Sequence, residues 1–126
     1  DILAWNVGPV TTFAYPFGDY NAATIATVQN AGFTGATATL NGNVTPTSDR
    51  FQLERREPQT SVPLDQVKQW IDNAIADKQW LILTFHSINE SGEQYSLTPA
   101  LFNSIVDYVK SKNIPVVTIA EGLQSL

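Results

Sequence analysis

The chain has 126 residues, of which 43% are hydrophobic, and this fits one globular domain with a single core. Seven basic against twelve acidic residues give a net charge of -5, which argues against a nucleic-acid partner, and the absence of cysteine excludes disulfides and thiolate metal sites. No run of about 18 apolar residues exists, so we expect no membrane span. The low charge with many Thr and Asn residues favours a secreted or cell-surface protein.

The first half of the chain predicts two strands around a helix. Residues 10–15 have the β-branched and aromatic content of a strand, which Pro16 and Gly18 end. A helix over 22–31 follows, with Asn21 as its N-cap and a glycine after its last turn. Residues 34–40 then predict a second strand, and residues 51–55 a short third one.

The second half predicts two longer helices and two further strands. Ser61 opens the first helix, with Pro63 in its first turn, and its apolar stripe comprises Leu64, Val67, Trp70, Ile71, Ala74 and Ile75. The apolar run 80–85 is typical of a parallel strand buried on both faces. The second helix runs from Thr98, its cap, to about Lys112, with inward residues Leu101, Phe102, Ile105, Val106 and Val109.

Residues 115–119 predict the last strand, and a short helix closes the chain. Strands that alternate with helices in this way indicate an α/β fold with a parallel sheet and right-handed crossovers. In such folds the catalytic groups gather where the strands end, at their carboxyl edge.

His86 is the first candidate for catalysis. It is the only histidine, it follows the apolar run 80–85, and its side chain alone has an unperturbed pKa near neutrality. The alternative is a histidine that satisfies a hydrogen bond in the core. Its position in the sequence leaves both open.

The segment 15–18 and the pair Arg55 and Arg56 are the other candidates. Tyr15, Pro16 and Phe17 with Gly18 form either a rigid turn or a stiff loop, which offers an aromatic wall for a sugar and the backbone N–H of Phe17 as an oxyanion donor. The two arginines are either solvated surface charges or carboxylate ligands.

Two motifs together resemble the polysaccharide deacetylases of the NodB homology group, carbohydrate esterase family four. They read FAYPFGDY at residues 13–20 and WLILTFHSI at residues 80–88, in the family's order and with its separation. Residues 52–57, the helix with Trp70 and the closing segment 116–123 also look like that family. The resemblance therefore covers nearly the whole chain.

The resemblance implies a distorted (β/α) barrel with parallel strands and flanking helices that removes acetyl groups from N- or O-acetylated polysaccharides. It implies a divalent metal, usually zinc, in the complete enzyme. His86 would be the general acid, and the N–H of Phe17 would help to hold the oxyanion. Substrate-binding residues would be Tyr15, Pro16, Phe17 and Phe85, with Arg55 or Arg56 fixing the base.

The departures from the family are equally informative. Its T-F-D-D and H-x-x-x-H motifs, which carry the base and the metal ligands, belong upstream of residue 13 and are absent, and Ala14 stands where many members have an arginine. We therefore expect residues 1–126 to form the C-terminal half of the domain, without the N-terminal part of the barrel, without a metal of its own and inactive alone. Such a chain should pair with its missing half or self-associate through an exposed edge.

Two other functions are consistent with these residues. In the first, the chain would be a noncatalytic carbohydrate-binding or assembly module derived from the same fold. In the second, it would be an unrelated α/β interaction domain. Sugar binding without metal would distinguish the first, and the absence of any sugar affinity the second.

Overall fold

The computed structural model describes Trp5 and residues 8–126, and these form two compact units. The first comprises residues 8–40, 45–54 and 117–126, and the second residues 41–44 and 55–116. The elements are β1 (Thr12–Ala14), α1 (Ala22–Asn30), β2 (Gly35–Asn41), β3 (Leu53–Arg55), α2 (Leu64–Asp77), β4 (Ser87–Ile88), β5 (Ser96–Leu97), α3 (Pro99–Ser111) and α4 (Ile119–Gly122). The predicted mixed α/β class, with parallel strands and flanking helices, is confirmed.

The sheets of the described residues are small and open. β2 lies between β1 and β3, and β1 pairs with it in parallel, with Phe13 opposite Ala36. β4 and β5 form a second, parallel pair. These two strands lie on either side of the loop 89–95, and the sequence predicted neither of them.

Helix α1 begins and ends as its residues predict. The Asn21 side chain accepts a hydrogen bond from the Thr24 N–H at 3.0 Å, which satisfies one of the free donors of the first turn. Ala31 closes the helix, and Gly32 follows with φ of 90°, the left-handed conformation that glycine adopts without a steric penalty. The connection from β1 to β2 is thereby fixed at both ends.

The core of the first unit consists of aromatic rings packed on small residues of β2. Ala36 and Ala38 are fully buried, and because they are two residues apart they lie on one face of the strand. Their short side chains leave room for large rings close to the sheet. The aromatic residues around them are Phe13, Tyr15, Tyr20, Phe33 and Phe51.

In the second unit, α2 packs against α3. Val67 and Ile71, one turn apart on α2, are buried with Ile105 of α3. The predicted inward positions Ile75 and Val106 are wrong, since they are 41% and 45% exposed and lie outside the stripes that face the core.

The caps of these two helices differ. The predicted cap of α3 is confirmed, because the Thr98 hydroxyl accepts from the Leu101 N–H at 3.1 Å and Pro99 occupies the first turn. The predicted start of α2 at Ser61 is wrong. The helix begins at Leu64, and Pro63 is its N-cap residue in extended conformation.

The predicted strand 80–85 forms only isolated bridges. Trp80 pairs with Val44 in antiparallel orientation, and Leu83 pairs with Arg56 in parallel. Since the two partners belong to different chain segments and each contributes one bridge, no continuous ladder develops. Ile82 is 7% exposed, and Leu81, Leu83 and Phe85 on the opposite face are half-buried against the core of the second unit, so both faces of the run are covered although the strand itself does not form.

The predicted last strand, 115–119, is also wrong. Residues 115–118 form no strand, and Val116 is 81% exposed. Thr118 and Glu121 instead form a capping box at the start of a helix. The Thr118 hydroxyl accepts from the Glu121 N–H, and the Glu121 carboxylate accepts from the Thr118 N–H at 2.7 Å. This box starts α4 at Ile119, and the predicted short closing helix is confirmed.

Candidate functional site

His86 lies at the carboxyl end of the extended segment 80–85, directly before β4. Its side chain is 41% exposed, so a ligand can reach the imidazole from solvent. The backbone before it is held by the hydrogen bond from the Thr84 N–H to the Arg56 carbonyl, at 2.9 Å. The segment that carries His86 is thus fixed while the ring stays accessible.

Glu57 is the carboxylate that faces His86. Its Oε1 lies 3.7 Å from Nε2 of His86 and 2.5 Å from Nη2 of Arg55. The first distance is within ion-pair range but longer than a hydrogen bond, so this contact is electrostatic and depends on a charged imidazole. One carboxylate therefore lies beside both the Arg55 guanidinium and the His86 imidazole.

Sequence reasoning missed Glu57. The usable signal was the spacing of Arg55 and Glu57, because side chains two residues apart in extended backbone point to the same side. Both are largely shielded, with 14% and 28% of their side chains exposed.

The two candidate arginines point in different directions. Arg56 donates through Nε to the Asn43 side chain at 3.1 Å and through Nη1 to Asn41 at 3.3 Å, and its guanidinium lies 5.2 Å from the centroid of the Trp70 ring. Arg55 instead contacts Glu57, and its buried Nε has no hydrogen-bond partner among the described residues. Of the two, Arg55 belongs to the surroundings of His86.

Tyr95 completes this group from the loop 89–95. Its ring centroid lies 5.2 Å from that of His86, with the planes tilted by 54°. The ring is 49% exposed. The imidazole thus has a carboxylate near its Nε2 and an aromatic ring within contact distance.

The segment 15–18 forms a short 3-10 turn with an unusual residue in it. Phe17 has φ of 55° and ψ of 10°, a conformation that is uncommon for residues other than glycine, and its ring is fully exposed. Its N–H donates to no acceptor among the residues that the structure describes. Pro16, before it, is also exposed.

Gly18 fixes the shape of this turn. Its φ is 69°, and a Cβ at this position would lie 2.0 Å from Cγ2 of Thr39. Both the dihedral angle and the close approach of β2 therefore require glycine. The interpretation as a rigid turn and the interpretation as a presented loop are compatible, because the rigid turn is what presents Phe17.

Tyr15 does not form the predicted aromatic wall. It is 4% exposed, stacks on Tyr20 at a centroid distance of 4.8 Å, and donates its hydroxyl to the Phe51 carbonyl at 2.9 Å. Burial, together with the charge of Asp49 and the neighbouring Tyr20, raises the pKa of the Tyr15 phenol above its usual value of 10.0. Its role in this structure is that of a core residue.

Phe85 is likewise half-buried rather than a free wall. It packs against the core of the second unit and meets Phe102 edge to face, with ring centroids 5.1 Å apart. Among the predicted substrate-binding residues, Pro16 and Phe17 are thus the exposed ones. These two belong to the first compact unit, whereas His86 belongs to the second.

The described residues offer no ligand set for a metal ion. Within residues 8–126 and Trp5, no group of three or more His, Cys, Asp or Glu side chains comes together in a way that would hold one. The same part of the chain contains no helix that is both long and apolar enough to cross a bilayer.

Comparison of the chain with protein-family models, curated proteins and solved structures gives no significant match.

Proposed function

We propose that this chain is the C-terminal part of a metal-dependent carbohydrate deacetylase, built on a distorted (β/α) barrel, that hydrolyses acetyl groups of N- or O-acetylated polysaccharides. The resemblance of its two motifs to the NodB homology group supports the proposal. The observation that carries it is the group of His86, Glu57 and Arg55, in which the only imidazole of the chain is accessible and faces a shielded carboxylate.

The chemistry assigns His86 the role of general acid. When water adds to the acetyl carbonyl carbon, the tetrahedral intermediate expels a sugar amine or alcohol, and an amine leaves only after its nitrogen has gained a proton. His86 supplies that proton, and the hydroxyl from water stays on the released acetate. Because Glu57 lies beside Nε2, the opposite ring nitrogen, Nδ1, is the one that faces the leaving group.

Glu57 and Arg55 support the imidazole. The Glu57 carboxylate lies beside the imidazole, and Arg55 holds that carboxylate in place from its other side. The buried Nε of Arg55, which has no hydrogen-bond partner among the described residues, leaves a donor for a further carboxylate, such as the base of the reaction. We therefore assign the arginine role to Arg55 rather than Arg56.

The backbone N–H of Phe17 is the proposed oxyanion donor. A backbone donor that is already oriented costs no reorganisation when negative charge develops on the carbonyl oxygen. The positive φ of Phe17 and the constraint at Gly18 fix its direction, and the exposed ring leaves an apolar surface beside it for the substrate. Pro16 limits the motion of the turn from the other side.

The metal and the base must be supplied by other residues. The chain has one histidine and no cysteine, and the described residues do not fit the metal site of such an enzyme, so we derive no step through the metal. We propose that another segment or chain provides it, either one that pairs along the outer edge of β1, which has no further strand partner among the described residues, or a second copy. The chain by itself is then inactive.

The substitution His86→Gln tests the function. The native protein, with any chain that accompanies it in purification, should release acetate from N,N′,N″-triacetylchitotriose in the presence of Zn²⁺. His86→Gln should lower this rate by about 100-fold or more, since general acid catalysis contributes roughly 10² to 10⁴. Circular dichroism of the variant should be unchanged, because the side chain is partly exposed.

Equal rates for the two proteins would contradict the role of His86. Binding of the sugar without any acetate release would favour the noncatalytic carbohydrate-binding module instead.

A further inference from the structure

Tyr95 is a large aromatic residue that the fold leaves half in solvent. Its ring contacts the His86 ring at a centroid distance of 5.2 Å, and 49% of the residue remains exposed. The next two residues behave differently, since Ser96 and Leu97 are 2% and 3% exposed. Tyr95 is therefore the last exposed residue before the chain enters the core, and its half-exposed aromatic side chain lies beside the candidate general acid.

The backbone that carries Tyr95 is tightly fastened. Its own carbonyl accepts from the Ser87 N–H at 3.3 Å, and the carbonyl of Gln94 accepts from the Thr60 N–H at the same distance. The buried Ser96 hydroxyl donates to the Glu93 carbonyl at 2.7 Å, and the Thr60 hydroxyl donates to the Ser96 carbonyl at 2.8 Å. The backbone position from which the ring projects is thus set before any ligand arrives.

The remainder of the loop is also held by its own side chains. Asn89 accepts from the Ser91 N–H at 3.0 Å, and Ser91 accepts from the Glu93 N–H at 3.3 Å. A residue on such a loop loses little conformational entropy when a ligand binds, which favours affinity. Fixed aromatic side chains on surface loops are common binding residues, because they bury a large area with few rotatable bonds.

We propose that the Tyr95 ring stacks on the pyranose ring of the substrate, the ring whose acetyl group is removed with His86 as the general acid. This inference rests on the proposed function and extends it to the substrate. The apolar C–H face of an N-acetylated hexosamine packs against the open face of the Tyr95 ring, and the ring contact with His86 places the leaving nitrogen within reach of the imidazole. Tyr95 is a binding residue and transfers no proton.

The experiment is a titration of the 126-residue chain with N,N′,N″-triacetylchitotriose, followed by ¹H–¹³C NMR of the Tyr95 ring and the His86 imidazole. Both sets of resonances should shift on binding. Tyr95→Ala should weaken binding by about tenfold, which corresponds to the loss of one good aromatic contact. Tyr95→Phe keeps the ring and should bind within about threefold of wild type.

Tyr95→Leu serves as the matched control for apolar area without a flat face, and it should bind nearly as weakly as Tyr95→Ala. The inference is overturned if the wild-type chain does not bind the sugar, if the Tyr95 resonances do not move, or if the alanine and leucine variants bind as wild type does. An unchanged amide resonance of Thr60, whose N–H donates to the Gln94 carbonyl, would show that the loop still folds in the free variants.

The two proposals fail in different ways. Sugar binding that depends on Tyr95, without acetate release by the native protein, would leave the stacking role intact and refute the deacetylase function. Acetate release with an unchanged KM in Tyr95→Ala would support the deacetylase and refute the stacking role.

Discussion

Glu57 shows how one carboxylate organises its neighbours at the residue scale. It lies between Arg55 and His86, and the period of extended backbone places it on the same side as Arg55. Arg56, the next residue, points instead to Asn41, Asn43 and the Trp70 ring. The alternation of a strand thus separates a functional candidate from a structural one.

Tyr15 gives the prediction at this scale. Tyr15→Phe should lower the free energy of unfolding by about 1 kcal/mol at pH 7, because it removes the hydrogen bond that the buried Tyr15 side chain donates to the Phe51 carbonyl. Since the pKa of Tyr15 is raised in the folded state, the folded chain holds this proton more tightly than the unfolded one. That stability is complete below about pH 10 and is lost as the pH rises through the raised pKa.

Urea unfolding at pH 7 and at about pH 10.5 measures this effect, since the higher value lies above the ordinary tyrosine pKa. The stability difference between wild type and Tyr15→Phe should shrink at the higher pH, because the variant lacks the titrating group. A difference that stays constant would show that Tyr15 keeps an ordinary pKa, and one that widens would show that its pKa is lowered on folding; either would contradict the prediction.

The sequence predicts His86 and Phe17 as candidate site residues, but it does not predict which residues surround them. His86 was identifiable because it is the only histidine and follows an apolar run. The sequence predicts Tyr15 as part of an aromatic wall for a sugar, although an aromatic residue at a strand end packs inward as readily as outward. Only the contacts with Tyr20 and Phe51 determine the direction.

At the scale of elements, local signals predicted helices well. The caps at Asn21 and Thr98 are made by the residues themselves and need no distant partner. The strands depend on partners elsewhere in the chain, and here the prediction fails at 80–85 and 115–119. A β-branched run is compatible with a strand, but it forms one only where another segment offers a ladder.

The cap of α3 gives the prediction for this scale. Thr98→Ala should lower the free energy of unfolding by about 1 kcal/mol, because the Leu101 N–H loses its acceptor. Ser104 is the matched control: its hydroxyl donates to the Ala100 carbonyl within the same helix, so Ser104→Ala removes a hydroxyl but no cap. That variant should be neutral or slightly stabilising, since alanine has the higher helix propensity.

The midpoints of urea unfolding for the two variants make the comparison. If Thr98→Ala is no more destabilising than Ser104→Ala, the cap contributes nothing beyond a surface hydroxyl.

At the scale of the whole molecule, the alternation of strands and helices predicted the fold class, because the hydrophobic period along the sequence indicates the type and order of these elements. Closure of a sheet is not recorded in this way, since it depends on which strands meet. The described sheets are open, and the barrel stays part of the proposal. The metal also stays part of the proposal, since the histidine and carboxylates that the structure describes form no ligand set for it.

The central claim is that His86 protonates the leaving group. The most direct test compares the effect of His86→Gln on a substrate whose leaving group needs a proton with its effect on one whose leaving group does not. An amide needs the proton, whereas an activated aryl acetate expels a stable phenolate without one. We predict that His86→Gln lowers the rate of the native protein on N,N′,N″-triacetylchitotriose by about 100-fold or more, but changes that on 4-nitrophenyl acetate by no more than about threefold. An equal loss on both substrates, or no loss on the amide, would contradict the claim.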